Sequence, residues 1–156
     1  MTKVTHELLT EYYDARLSGD LARVAVFLDK DVHWSISGPV GVLLFCGERR
    51  GKEAVLTTLA YGARLIQLTA IEVDEMMIDG DRAATFTRFI GLHKSSGRTV
   101  SYNCAQRMHF HNGRLVTYRA LIDSFDAAEQ VLGHAIDLSQ TGVTLDFAAS
   151  GDRIAL

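Results

Sequence analysis

Few residues in this chain have the type and spacing to do chemistry. His109 and His111 stand two apart in a β-rich run and so share a face, as two ligands of a zinc site would. No third ligand follows at a suitable spacing, so strand-end polarity explains the pair and no metal is expected. Gly47 to Gly51 precedes a helical segment but lacks the Gly-Lys-Ser/Thr sequence and the leading strand of a phosphate loop. His93 is a near-neutral titrating group at the far end of a strand, where solvent reaches. Asp123 is a carboxylate at the end of the last strand and a candidate general base; it also stands three before Asp126 at a helix start, where capping alone would explain it.

The elements that must position these groups run from Ile71 to Phe125. Four β-rich runs, Ile71–Ile78, Arg82–Lys94, Arg98–His111 and Arg114–Phe125, are separated by Asp79-Gly80-Asp81, Ser95-Ser96-Gly97 and Asn112-Gly113. Asp-Gly and Asn-Gly are strong hairpin signals, because both residues tolerate the positive φ of tight turns. The expectation is a curved antiparallel meander whose concave side forms a pocket. A turn at Ser95-Ser96 puts Gln106 on one face with Thr85, Thr87, Phe89, Gly91 and His93. The Asn112-Gly113 turn leaves two registers open. A two-residue loop sets Gln106 beside Arg119, Leu121 and Asp123; a bulge at Gly113 sets Tyr118, Ala120 and Ile122 there instead.

Ahead of the meander, Leu8, Leu9, Tyr12, Tyr13 and Leu17 mark one face of a helix over Thr5–Leu17. Asp20 is placed to cap a second helix, Leu21–Leu28. Asp29-Lys30-Asp31 reads as a polar break before a short strand, Val32–Ile36, with Val32, Trp34 and Ile36 on one face and His33 on the other. Ser37–Gly51 reads as a loop holding the single proline and an apolar run, Val40 to Cys46, which should cover the pocket or meet a second subunit. Lys52–Leu68 reads as a third helix and Asp126–Leu132 as a fourth. Val143–Phe147 could add an edge strand.

The composition bounds the rest. At 156 residues, with 47% hydrophobic and 22% charged, the chain fits one globular domain over 1–156, with a core over 5–132 and an extension over 133–156. A net charge of −3 without a basic stripe gives no footprint for nucleic acid. No apolar run approaches the roughly 20 residues of a spanning helix, and the first residues lack a signal peptide's apolar stretch. Cys46 and Cys104 make no disulfide framework and suit buried thiols. A cytoplasmic location is expected.

Helix, helix, strand, helix and meander is an α+β order. In that order stand Tyr12-Tyr13, Ser18-Gly19-Asp20-Leu21, Phe27 to Trp34, Gly47 to Val55 and Met108 to Arg119. Together they resemble the SnoaL-like and ketosteroid-isomerase-like branch of the nuclear-transport-factor-2-like superfamily over roughly Thr5–Leu132. The resemblance implies a cone-shaped curved antiparallel sheet with N-terminal helices packed on its concave face, and a homodimer. It also implies that Tyr12, eight residues before Asp20, and Gln106 on the penultimate strand hold an enolate oxygen.

Two catalytic groups of those relatives are missing. The isomerase base falls on Ile36 or Gly38, and the water-activating acid of limonene-epoxide-hydrolase-like relatives falls on Ala120 within Tyr118-Arg119-Ala120. Arg88-Phe89-Ile90 likewise lacks the acid of their Arg-x-Asp motif. The expected cavity is apolar, lined by Tyr12, Trp34, Phe89, Cys104, Gln106, Met108, Tyr118 and Ile122, and holds a small hydrophobic molecule without a cofactor. Tyr12, Gln106 and Asp123 are the candidate catalytic set for an isomerase, cyclase or hydrolase. The alternative is a non-catalytic carrier or a dimeric interaction module.

Overall fold

Turn chemistry and capping set the element boundaries. A computed structural model describes residues 3–137 and residue 139; the segment expected as an edge strand, Val143–Phe147, lies outside them. Thr5 caps α1 (His6–Ser18), its hydroxyl accepting from the Leu8 N–H at 3.1 Å, and Gly19 closes the helix at φ 70°. Asp20 caps α2 (Leu21–Val26), accepting from Ala22 N at 2.9 Å and Arg23 N at 3.3 Å. The second helix stops short of Leu28, which already begins the next strand opposite Leu115; Leu115 N donates to the Phe27 carbonyl at 2.7 Å.

β1 (Leu28–Ser37) is longer than expected and includes Asp29-Lys30-Asp31. Its pairing jumps from Leu28↔Leu115 to His33↔Thr117, so these polar residues ride on an outward irregularity. The loop after β1 contains a short strand, β2 (Gly47–Arg50), and leads into α3 (Lys52–Leu65). That helix ends three residues earlier than its apolar spacing suggests, since Ile66 already starts β3 (Ile66–Asp79). β4 (Arg82–His93), β5 (Thr99–His111) and β6 (Arg114–Ile122) complete the meander, and α4 (Ser124–Leu132) follows.

The six strands form one sheet in the order β2-β1-β6-β5-β4-β3, antiparallel except for β1 beside β6. Extra residues at Thr69 and Asp74 in β3 and at Val116 in β6 bend it. The last resolves the open register in an unexpected way. Asn112 and Gly113, at φ 50° and 75°, form a two-residue turn pairing His111 with Arg114. The bulge comes later, at Val116 rather than Gly113, and still sets Gln106 opposite Ala120, Met108 opposite Tyr118 and Cys104 opposite Ile122.

The inward face of β4 carries Ala83, Thr85, Thr87, Phe89 and His93, all buried. His93 is thus not at the surface; the Ser96 and Ser95 hydroxyls hold its two ring nitrogens at 2.8 and 3.3 Å. No described helix is long and apolar enough to cross a membrane.

Candidate functional site

The buried face of α1 decides what the inside of the cone can do. Leu9, Tyr12, Tyr13 and Ala15 are buried, and Arg16 follows Tyr12 and Tyr13 at the i+4 and i+3 spacing of that face. The same short stretch of helix therefore feeds two adjoining polar groups.

The first is closed. The Gln106 side-chain oxygen accepts from the Tyr13 hydroxyl at 3.1 Å and the Tyr118 hydroxyl at 3.0 Å. Its nitrogen donates to the Thr87 hydroxyl at 2.7 Å. Tyr13 and Thr85 share a hydrogen bond of 2.6 Å, and since the Tyr13 proton goes to Gln106, Thr85 is the donor. Burial pushes the Tyr13 phenol upward, opposed mainly by the Thr85 hydrogen bond. Tyr118 is raised well above its ordinary value by burial, and it stacks on Trp34 at 3.7 Å between centroids.

The second is a cavity of about 310 Å³. Its deep walls are apolar: Val24, Ile36, Phe45, Leu59, Ile66 and Phe89. Ser18, Gly19, Ala63, Gln67 and Lys94 are exposed and form its rim. Phe45 comes from the apolar loop, which folds over the cavity with Leu43 and Cys46 buried while Val40 and Leu44 remain exposed. The Tyr102 ring lies between Phe45 and Phe89, nearly parallel to both, with centroids 5.6 and 5.5 Å away. Its phenol is raised by burial, and no hydrogen bond of the described residues uses its hydroxyl. The Cys104 thiol is pushed up to about 12, chiefly by burial, and Cys46 to about 11 by the same cause. Both are neutral thiols at neutral pH.

Arg16 is the cation of the inner wall. Its guanidinium carbon sits 5.4 Å from the Trp34 ring centre, and Nη1 is buried without a hydrogen-bond partner. No ion pair among the described residues involves it. Burying a guanidinium without a counter-ion costs several kcal/mol, because it cannot neutralise itself by losing a proton. The described wall supplies no carboxylate or imidazole to offset it.

The residues expected to carry chemistry are distributed differently from expectation. Phe89, Cys104, Tyr118 and Ile122 do line the cavity. Trp34 and Met108 are fully buried behind the wall, Trp34 beneath Arg16 and Met108 beside Tyr118 in the sheet. Tyr12 does not meet Gln106; the neighbouring Tyr13 does. Tyr12 packs on Tyr13 and Phe27, with its phenol raised by burial and pulled back by the nearby Arg16 charge. Gln106 has its oxygen filled by two phenols and lies outside the cavity lining. Asp123 is exposed, because the Val116 bulge turns Ile122 inward and its neighbour out. It stands at the α4 N-cap without a side-chain cap hydrogen bond. His109 is held by Asp81 at 3.1 Å, and no metal-holding group of three ligands exists among the described residues.

Arg16 and Tyr102 were not singled out from the sequence, although signals were present. Arg16 continues the Leu9-Tyr12-Tyr13 stripe. Tyr102 alternates with Cys104, Gln106 and Met108 along β5.

Comparison with known proteins places this geometry. The SnoaL-like domain model matches residues 9–118. A solved structure from Rhodopseudomonas palustris, provisionally named an isomerase, is 29% identical with a TM-score of 0.78 over 84% of this chain and 100% of that one. An LEH-like epoxide hydrolase from M. tuberculosis shares the fold at 16% identity, with a TM-score of 0.66 over 81% of this chain and 88% of that one. So does a protein with a ketosteroid isomerase-like fold from Catenulispora acidiphila, solved with trimethylamine, at 12% identity and a TM-score of 0.69 over 84% and 95%. No curated protein matches significantly. With its helices and bent sheet arranged as in these structures, the chain belongs to the SnoaL-like family and has its nuclear-transport-factor-2-like fold.

Proposed function

We propose that this protein binds a small hydrophobic molecule in the cavity and holds it by an oxygen. The observation that carries the reading is the chemistry of the wall: apolar surfaces around Arg16, whose Nη1 has no partner, and the Tyr102 hydroxyl, with no described carboxylate or imidazole. Such a site favours an acceptor oxygen but has nothing to take a proton from carbon near neutral pH. The oxygen-holding role expected of Tyr12 and Gln106 passes to Tyr102 and Arg16. Asp123 has no place in it. Binding or carriage of the ligand is the function this wall supports best.

The R. palustris neighbour favours a second reading, a cofactor-free isomerase or cyclase. There the same two donors would polarise a carbonyl while the substrate supplied its own nucleophile. We also read the outer sheet face as a homodimer surface, since Met77, Phe86, Leu92 and Leu121 are exposed on it.

The test is a thermal-shift screen with steroid, monoterpenoid and polycyclic-aromatic ketones on wild type and on Ala63→Trp, which blocks the rim. A ligand at about 100 times its dissociation constant should stabilise wild type by about 2.7 kcal/mol and do little for Ala63→Trp. Equal shifts in both proteins would remove the cavity reading. Mass analysis of the recovered ligand separates the two readings: unchanged ligand supports binding, a rearranged one the isomerase.

A further inference from the structure

We infer that the ligand is an anion, the carboxylate of a small flat apolar acid, seated on Arg16 with the Tyr102 hydroxyl as a second donor. This rests on the cavity being a ligand site and adds the charge of what it takes. Arg16 stands in the last turn of α1, where its guanidinium lines the cavity over the Trp34 ring at 5.4 Å. Two donors at this spot lack hydrogen-bond partners: Arg16 Nη1 and the Trp34 indole Nε1. The ring face and the nearby Tyr12 phenol moderate the positive charge but do not neutralise it. No described acid on the wall does so either, and the one charged group on the rim, Lys94, has the same sign.

A neutral ligand would leave that charge as it is. A carboxylate would pair with it through charge-assisted hydrogen bonds, the strongest kind available to a guanidinium. Lys94 at the entrance would attract the same anion during approach. The shape of the wall narrows the class further. Phe45, Tyr102 and Phe89 lie nearly parallel, at 18° and 5° between neighbouring planes, beside aliphatic surfaces from Leu59 and Ile66. One inner cation among apolar walls suits a monoanion with a planar hydrocarbon body, not a multiply charged phosphate.

The experiment compares 2-naphthoate with its neutral isostere 2-naphthamide by calorimetric titration into wild type, Arg16→Gln and Arg16→Lys. Quenching of Trp34, the single tryptophan of the chain, gives a second readout at the same place. Wild type should prefer the carboxylate by about tenfold or more. Arg16→Gln should lose that preference, its carboxylate affinity falling about tenfold further than its amide affinity, and Arg16→Lys should recover part of it. Equal affinities in wild type, or a preference that survives Arg16→Gln, would overturn the inference while leaving the cavity as a site for neutral molecules. If naphthoate, naphthamide and the ketones all fail to bind, the cavity reading falls and the inference with it.

Discussion

Tyr13 and Arg16 sit one helical turn apart on α1, yet they enter opposite kinds of polar environment. Around Tyr13 the donors and acceptors close on themselves, with Gln106 receiving two phenols and giving its own proton to Thr87. Around Arg16, Nη1 has no hydrogen-bond partner and the described wall offers no carboxylate to meet the charge. A satisfied buried network fixes one arrangement of helix and sheet. An unsatisfied one of a single polarity is costly to folding and is what a ligand of opposite polarity can repay. The contrast separates what holds the cone together from what the cone is for.

The largest effect should come from breaking the closed side. Gln106→Leu leaves the Tyr13 and Tyr118 hydroxyls buried without their acceptor and should cost about 3 kcal/mol, read as a lower urea midpoint at unchanged slope. Next is the wall the cavity shares with the sheet. A Cβ at Gly91 would meet the Gln67 carbonyl oxygen and Ile66 Cγ2, each at 2.6 Å. Gly91→Ala should therefore cost about 2 kcal/mol and displace the Ile66–Gln67 wall, weakening ligand binding as well.

Cys104 gives a graded effect. Its thiol goes from 9.0 to about 12 on folding, so the unfolded chain releases the proton first, and stability should fall as pH rises through that window. The slope it contributes is about 1.4 kcal/mol per pH unit. Cys104→Ala should flatten denaturation midpoints measured between those pH values by that amount. Smallest, and opposite in sign, is Arg16→Met. Replacing an uncompensated charge with an apolar chain of similar length should raise stability by about 1 kcal/mol in thermal melts.

Much of the fold was legible because turns and caps act locally. Thr5, Asp20, Asn112-Gly113 and the Gly80 turn set boundaries through their own backbone and side-chain hydrogen bonds. The apolar alternation of β4 correctly grouped Thr85, Thr87 and Phe89 on the inner face. Element ends were missed where long-range pairing overrode local pattern, as at Ile66, whose helical spacing hides the first residue of a strand. The Val116 bulge has no signature of its own, and its displacement of Asp123 depends on β5 and β6 pairing across the turn.

The candidate site was harder to read. Which of two adjacent tyrosines reaches Gln106 is a matter of helix rotation, and Tyr13 rather than Tyr12 is the one that does. Leu17 does reach the cavity as its apolar spacing suggests, but Arg16 beside it brings the charge. A charge on a buried stripe was the available clue.

The most direct test of the division between the two regions is a calorimetric titration of one cavity ligand, 2-naphthoate, into Tyr13→Phe and Tyr102→Phe. Tyr102→Phe removes the hydroxyl proposed as the ligand's second donor, so it should bind several-fold more weakly and melt within about 0.5 kcal/mol of wild type. Tyr13→Phe should bind as wild type does and lose about 1 to 2 kcal/mol of stability. Weaker binding in Tyr13→Phe with unchanged binding in Tyr102→Phe would contradict the account and move the ligand's oxygen to the Gln106 network.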